Sequence, residues 1–271
     1  MKIAAIVILY YPNIEEVENN IYQYIDFVDK LIIWQNSPEM ISFSHVYDDK
    51  IVYMGEGRNE YIAKPLNMAI DYCMKGSYDY LLSMDQDSTW KCFPCFKSYI
   101  SNCNEKNVVI YAPNVNNVYQ KCSSPIEVES VITSGSLYNV SLTNKLGGFR
   151  EDYKIYWVDG EFCCWARLNG FKIKVLTQCY LKQNFGNETK AIGGFFAANY
   201  SPIVYFFLIR NMLWMRREYH NTPSLKCVCY TSLLYVRGII LGDKHKFRKL
   251  SMIFKGYIDG VFHSFNKRIK R

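Results

Sequence analysis

The chain has no uncharged apolar stretch of the roughly 18 residues that a spanning helix needs. Val228 to Leu241 comes nearest, and Arg237 interrupts it. The first apolar run, Ile3 to Tyr11, lacks a cleavage-type end and reads as a strand, so no secretory leader is expected. There is no Gly-x-Gly-x-x-Gly and no P-loop, which disfavours a dinucleotide or P-loop site. Internal repeats and low-complexity linkers are missing too. Ten cysteines without a leader point to free thiols in a reducing cytoplasm. Cys92 and Cys95 have metal or redox spacing, but no second pair accompanies them, and buried or loop cysteines explain them as well. Acidic residues nearly vanish near the end. Residues 201–271 hold 14 Lys and Arg against 3 Asp and Glu, a balance of +11, whereas residues 1–200 hold 18 against 22, a balance of −4. Such a tail is either a solvated helical face or a surface for an anionic partner, membrane or nucleic acid.

What is present fits one large domain or a domain with an appendage, since 49% of the 271 residues are hydrophobic. Lys2 to Tyr11 is apolar at almost every position and stops at Pro12, as a strand buried on both faces would. Asn13 opens a helix as its N-cap, with Glu15, Glu16 and Glu18 in the first turns and Ile21, Ile25 and Val28 on one face. Strands follow at 30–34 and 51–54, a helix at 61–74 and a strand at 80–84. This alternation is that of a doubly wound α/β sheet, whose ligands bind beyond the carboxyl ends of the strands. Those ends carry Tyr10, Tyr11 and Pro12, then Gln35 to Ser37, Gly55 to Asn59, and Asp85 to Asp87.

The second half reads as a strand at 108–113 and a strand with a small-residue kink at 131–138, including Ser134 and Gly135. A turn at Gly147-Gly148-Phe149-Arg150, a helix at 163–168 and a strand at 171–176 complete it. From Ser201 onward the pattern is helical and basic, with stretches at 202–215, 225–241 and 247–265. The shift in composition near residue 200 divides the chain into 1–200, an α/β domain, and 201–271, a basic amphipathic helical region suited to a membrane surface.

The chemistry concentrates in Leu81-Leu82-Ser83-Met84-Asp85-Gln86-Asp87-Ser88. In an extended backbone Asp85 and Asp87 point to the same side. Adjacent carboxylates raise each other's pKa unless a cation lies between them, and hard oxygen donors suit Mg²⁺ or Mn²⁺. A solvated turn after a strand is the plain alternative for a bare Asp-x-Asp. Asp159 sits among aromatics just before a helix, as either a structural cap or a base.

Taken together these motifs resemble the inverting family 2 glycosyltransferases of GT-A fold, and bacterial rhamnosyltransferases among them. The matching pieces are Tyr10-Tyr11-Pro12, the segment from Asn59 to Asn67, Met84-Asp85-Gln86-Asp87-Ser88, Thr133-Ser134-Gly135-Ser136, Gly147-Gly148-Phe149, Trp157-Val158-Asp159-Gly160-Glu161, Arg210-Asn211 and Lys255 to Gly260. The resemblance implies a GT-A, Rossmann-like mixed sheet flanked by helices. It implies that Asp85 and Asp87 meet the donor ribose and a divalent metal on the diphosphate, and that Asp159 is the general base. It also puts Glu161, Trp157, Ser134, Gly135 and Gly148 by the sugar and acceptor. Tyr10, Tyr11, Pro12, Gln35, Asn59, Asn67 and Gln86 would line the donor. There are departures: Gln35 stands where an aspartate is usual, Gln183 where a metal-binding histidine is usual, and Trp165 where an arginine is usual.

The expectation is an enzyme that moves a hexose, rhamnose from dTDP-rhamnose first, onto a saccharide or lipid-linked acceptor in bacterial surface polysaccharide synthesis, O-antigen or capsule. It would use Mn²⁺ or Mg²⁺ and sit in the cytoplasm against an anionic inner membrane face, with no nucleic acid. A UDP-hexose donor is the nearest alternative. A nucleotidyltransferase would want a basic glycine-rich loop near the first strand, which Tyr10 to Asn13 does not provide. A nucleic-acid module would rest on the basic tail alone.

Overall fold

The structure, a computed structural model, describes residues 1–43, 49–103, 105–184, 189–190, 196–220, 222–263 and 267–268. The chain forms two compact units. The first comprises Met1–Glu151 and Val158–Asn184, and the second Asp152–Trp157 and Phe185–Arg271. The composition boundary near residue 200 falls inside the second unit.

In the first unit the apolar runs become the centre of a sheet. Ile3–Leu9 (β1), Lys30–Gln35 (β2), Ile51–Met54 (β3) and Tyr80–Asp85 (β4) are parallel neighbours, with Ile8 opposite Asp85. Burial on both faces explains why β1 and β4 read as unbroken apolar runs. Beyond β4 the sheet turns mixed. Ser88–Trp90 (β5), Val108–Val115 (β6), Ile126–Glu127 (β7), Leu137–Asn139 (β8) and Lys172–Gln183 (β9) complete the order β3-β2-β1-β4-β8-β6-β9-β5, with β7 on β9. The helices of this unit are Ile14–Ile21 (α1), Ala63–Lys75 (α2), Phe93–Ser101 (α3), Val140–Lys145 (α4) and Val158–Leu168 (α5). The α/β architecture expected from the alternation is therefore present.

Several local expectations change. Asn13 does cap α1, accepting the Glu16 N–H at 3.3 Å, but the helix stops at Ile21 and Ile25 lies in a short 3₁₀ turn. The kinked strand expected at 131–138 is strand only from Leu137. The backbone of Ser83 takes up Gly135 N–H (2.8 Å) and Ser136 C=O (2.9 Å), and Gly135 at φ +74° turns the chain. The helix expected from Cys163 begins at Val158, so Asp159 lies in its first turn rather than before it. The cysteines are not all free, because Cys92 and Cys95 form a disulfide at the start of α3. Trp165 is core: it is buried and its indole N–H donates to Leu146 C=O at 3.0 Å.

The second unit is helical where it is described in detail. Pro202–Glu218 (α6), Leu225–Gly242 (α7) and Lys246–Phe262 (α8) surround Leu208, Ile209, Met212, Val228, Ile239 and Ile253. Two short strands, Thr189–Lys190 (β10) and Phe196–Ala197 (β11), pair antiparallel. Arg210 and Asn211, buried in α6, hold the strap 152–157. Asn211 Nδ2 serves the carbonyls of Tyr153, Ile155 and Tyr156 at 2.8, 2.9 and 2.8 Å. Arg210 donates to Asp152 C=O and lies 4.0 Å from the Trp214 ring centre. Of the expected basic end, Ile269 to Arg271 lie outside the described residues.

Helices α6 and α8 approach closely because α8 is bare at Gly256 and Gly260. A Cβ on Gly256 would come within 2.7 Å of Phe206 C=O, and one on Gly260 within 2.7 Å of Leu213 Cδ1. Alanine is the better helix former by about 1 kcal/mol. Gly256→Ala is nevertheless expected to lower stability, by about 1–3 kcal/mol, since a backbone oxygen cannot move aside cheaply. Thermal unfolding followed by circular dichroism checks this; a raised melting temperature would contradict the close packing.

Candidate active site

The carboxyl end of β4 is held from three sides. Asp85 N–H donates to Ser134 Oγ at 3.1 Å, and Ser134 Oγ donates to the fully buried Ser88 Oγ at 2.7 Å. Asp85 Oδ2 accepts from Gln183 Nε2 at 2.6 Å, because β5 pairs with β9 and sets Ser88 opposite Gln183. Gln86 caps the end of β1, accepting Tyr10 N–H at 2.8 Å and donating to Tyr10 C=O at 3.3 Å. Its own C=O accepts from Asn20 Nδ2 at 3.0 Å. Asp87 thus lies in a two-residue turn joining β4 to β5, not on an extended strand. A pinned turn rather than the strand pleat sets its side chain near that of Asp85.

All three carboxyls are shifted upward, each chiefly by burial. Burial pushes Asp85 up to about 7, with the charges of Asp87 and Asp159 adding to the rise and the Gln183 hydrogen bond opposing it. Asp87 is raised by burial and by Glu16. Asp159 is raised by burial, against hydrogen bonds from its own backbone N–H and those of Gly160 (2.8 Å) and Thr133. A raised folded-state pKa means that the folded chain holds a proton that the unfolded chain releases. The cation-free protein is therefore expected to lose stability as pH rises from about 4 towards 7 and to level off above that. Melting temperatures across that range check it, and Asp85→Asn should flatten the slope.

The same residues fit a divalent cation. Gln183 Oε1 is buried and meets no hydrogen-bond partner among the described residues, while its Nε2 donates to Asp85. Two carboxylates and an orphaned carbonyl are hard oxygen donors of the kind Mg²⁺ and Mn²⁺ take. Among the described residues no group of three or more His, Cys, Asp or Glu is placed to hold a metal ion by itself. Phosphate or water oxygens would have to complete the shell.

The other sequence-derived residues fall into separate places. Tyr11, at φ +45° and 62% exposed, stands beyond β1 with its N–H donating to Ser37 Oγ at 3.3 Å, and Pro12 follows it. Both ends of the Gln35 amide are engaged by Ile41: Nε2 donates to Ile41 C=O at 2.5 Å and Oε1 accepts Ile41 N–H at 3.1 Å. Asn59 accepts from Tyr61 N–H at 2.9 Å and from Asn36 Nδ2 at 3.3 Å. Asn67 clamps the glycine turn, donating to Phe149 C=O at 2.9 Å and accepting Phe149 N–H at 2.7 Å. Gly148, at φ +66°, sits so close that a Cβ would be 2.5 Å from Asn67 Oδ1. Gly135 is similarly confined, since a Cβ there would be 2.7 Å from Leu181 Cδ2. Glu161 is wholly buried in α5, and Trp157, at φ +63°, belongs to the second unit and packs with its core.

Three residues to which the sequence assigns no role also shape the site. Asn36 joins the ends of β2 and α2 through Glu60 N–H (2.7 Å) and Tyr61 C=O (3.0 Å). Ser88 supports Ser134, and Thr133 N–H faces Asp159. Asn36 is visible as part of the turn cluster after β2; Ser88 and Thr133 lie within the quoted motifs, but nothing in the sequence gives them a role of their own.

No family model matches the chain. It is similar to the dTDP-rhamnosyl transferase RfbF of Shigella flexneri, 21% identical over 283 aligned positions that cover 96% of this chain and 95% of that protein. The crystal structure of GalNAc-T7 with UDP, GalNAc and Mn²⁺ superposes with a TM-score of 0.59 at 8% identity, covering 96% of this chain. This chain spans only 56% of that one. The Pyrobaculum calidifontis mannosyltransferase PcManGT in complex with GDP-Man and Mn²⁺ superposes with a TM-score of 0.55 at 11% identity, covering 97% of this chain and 76% of that one. The chain has the GT-A fold, and the likeness to rhamnosyltransferases drawn from its motifs runs through almost its whole length.

Proposed function

We propose that the chain is an inverting, divalent-cation-dependent glycosyltransferase that moves rhamnose from dTDP-rhamnose to a saccharide carried on a lipid, in bacterial surface polysaccharide synthesis. The observation that carries this is that the adjacent residues Thr133 and Ser134 bond Asp159 and the Asp85 backbone, with Asp87 in the turn directly after Asp85. The proteins it resembles are named for dTDP-rhamnose transfer or bound to nucleotide sugars with Mn²⁺.

Asp85, Asp87 and the orphaned Gln183 Oε1 would hold Mn²⁺ or Mg²⁺ against the donor diphosphate. The cation supplies charge to offset the leaving nucleoside diphosphate. Tyr10 and Tyr11, exposed beyond β1, would meet the base, and Asn36, Asn59 and Gln35 would shape the loops around it through their backbone contacts. Burial makes Asp159 more basic than an ordinary carboxylate, which suits it to take the acceptor hydroxyl proton. The acceptor oxygen then bonds to the anomeric carbon as the carbon–phosphate-oxygen bond breaks, in one displacement with inversion. Ser134, Gly135, Gly148 and Glu161 would border the sugar and acceptor.

The test is release of dTDP from dTDP-rhamnose by purified protein, with UDP-hexoses as comparison donors. Turnover with Mn²⁺ or Mg²⁺ that stops with EDTA is expected. Preference for a UDP-hexose would replace the donor, and pyrophosphate release from a nucleoside triphosphate would replace the reaction.

A further inference from the structure

Helix α8 is apolar on two sides. Its inner side, with Ile253, Gly256 and Gly260, packs on α6. Its outer side carries Phe247, Phe254, Ile258, Val261 and Phe262, of which the three phenylalanines are 92%, 66% and 77% exposed. These positions recur with the helical period and form one stripe. A helix on a water-facing surface has a polar outer side; on this one Ser251 alone interrupts the apolar stripe. Helix α7 repeats the feature with Leu225, Tyr230, Leu233, Leu234 and Ile240 exposed.

The rim of these faces is cationic. Lys244 and Lys246 lie at the start of α8, and Arg248 and Lys255 each follow an exposed phenylalanine, all four exposed. Carboxylates are withdrawn from the rim. Of the three in residues 201–271, Asp243 is buried against Lys249, and Glu218 and Asp259 are partly buried.

We propose that the outer faces of α8 and α7 lie in the surface of a lipid bilayer that carries anionic headgroups. An apolar stripe with a basic border is the form of an interfacial helix, which sinks about 5–10 Å into the headgroup and acyl boundary. Charge decides against a second copy of the chain, since a two-fold pairing would set one basic rim against another. Aliphatic Ile258, Val261, Leu233, Leu234 and Ile240 share these faces with the aromatics; they suit acyl chains and offer no stacking surface to bases, which favours a bilayer over nucleic acid. Helix α7 is long and apolar enough to cross a bilayer by length and composition, with mean hydropathy 1.4. But Val228, Ser232, Gly238 and Ile239 are buried along it, and Arg237 is exposed, so it lies on the surface rather than spanning.

This docking is independent of the sugar donor, and its readout is partition rather than turnover. The full chain is sedimented with phosphatidylcholine vesicles, with and without phosphatidylglycerol. Binding to the anionic vesicles alone, weakening as salt rises, is expected. Phe254→Ser with Phe262→Ser should reduce it about tenfold or more. Arg248→Glu with Lys255→Glu should reduce it and flatten the salt dependence. Unchanged circular dichroism melts show that these exposed substitutions leave the fold intact. A chain that stays in the supernatant with both vesicle types overturns the proposal. So does a dimer that the phenylalanine variant makes monomeric without any vesicle binding, or RNA binding that outcompetes the anionic vesicles.

Discussion

Asp159→Asn is expected to remove sugar transfer while leaving donor binding nearly intact. Asparagine keeps the shape of the side chain and can still accept the Gly160 N–H bond that fixes the Asp159 rotamer. It cannot take a proton. General-base catalysis contributes about 10²–10⁴-fold, so turnover should fall by that much with little change in the affinity for dTDP. The loss should not recover at higher pH, because the missing group no longer titrates. Turnover measured by dTDP release, alongside calorimetric binding of dTDP, separates the two effects. Normal turnover would remove Asp159 from the chemistry and return it to a helix-start residue.

The second large effect is expected at Asp87. Asp87→Asn removes one of the two charges that would hold a cation, and also one of the charges that raise Asp85. Two consequences separate a ligand from a merely structural residue. The cation concentration needed for half-maximal turnover should rise about fivefold or more, as loss of one charged ligand is expected to cost about 1 kcal/mol or more. The titration of Asp85 should move to lower pH, towards an ordinary carboxylate, since a neighbouring anion has gone. The slope of stability against pH should therefore shift to more acidic values and shrink. An unchanged cation requirement would mean that Asp87 only shapes the turn.

How much of this was legible depends on how local the signal is. Strands β1 and β4 could be read because burial on both faces leaves an unbroken apolar run that ends at polar residues. The Asp85–Asp87 pair stood out for the same reason: two carboxylates directly after such a run are conspicuous. The geometry that brings them together was not legible. It comes from Gln86 binding Tyr10, 76 residues earlier, and from Ser134 reaching Ser88 across 46 residues. Strand β5 is three residues long, too short for any period to show, yet its pairing with β9 is what sets Gln183 against Asp85. The resemblance puts Gln35 beside the donor, and its amide is engaged by the backbone of Ile41, a local contact that the residue type alone does not reveal. The helix holding Asp159 was placed five residues late, because the Cys163 to Leu168 periodicity was clearer than the Val158-Asp159-Gly160 start.

Binding of dTDP in the presence and absence of Mn²⁺, measured on the wild type, Asp87→Asn and Asp159→Asn, tests the acidic tip of β4 most directly. Binding that requires the cation in the wild type, weakens in Asp87→Asn and persists in Asp159→Asn is the expected result. Cation-independent binding of equal strength in all three would contradict a diphosphate site at Asp85 and Asp87.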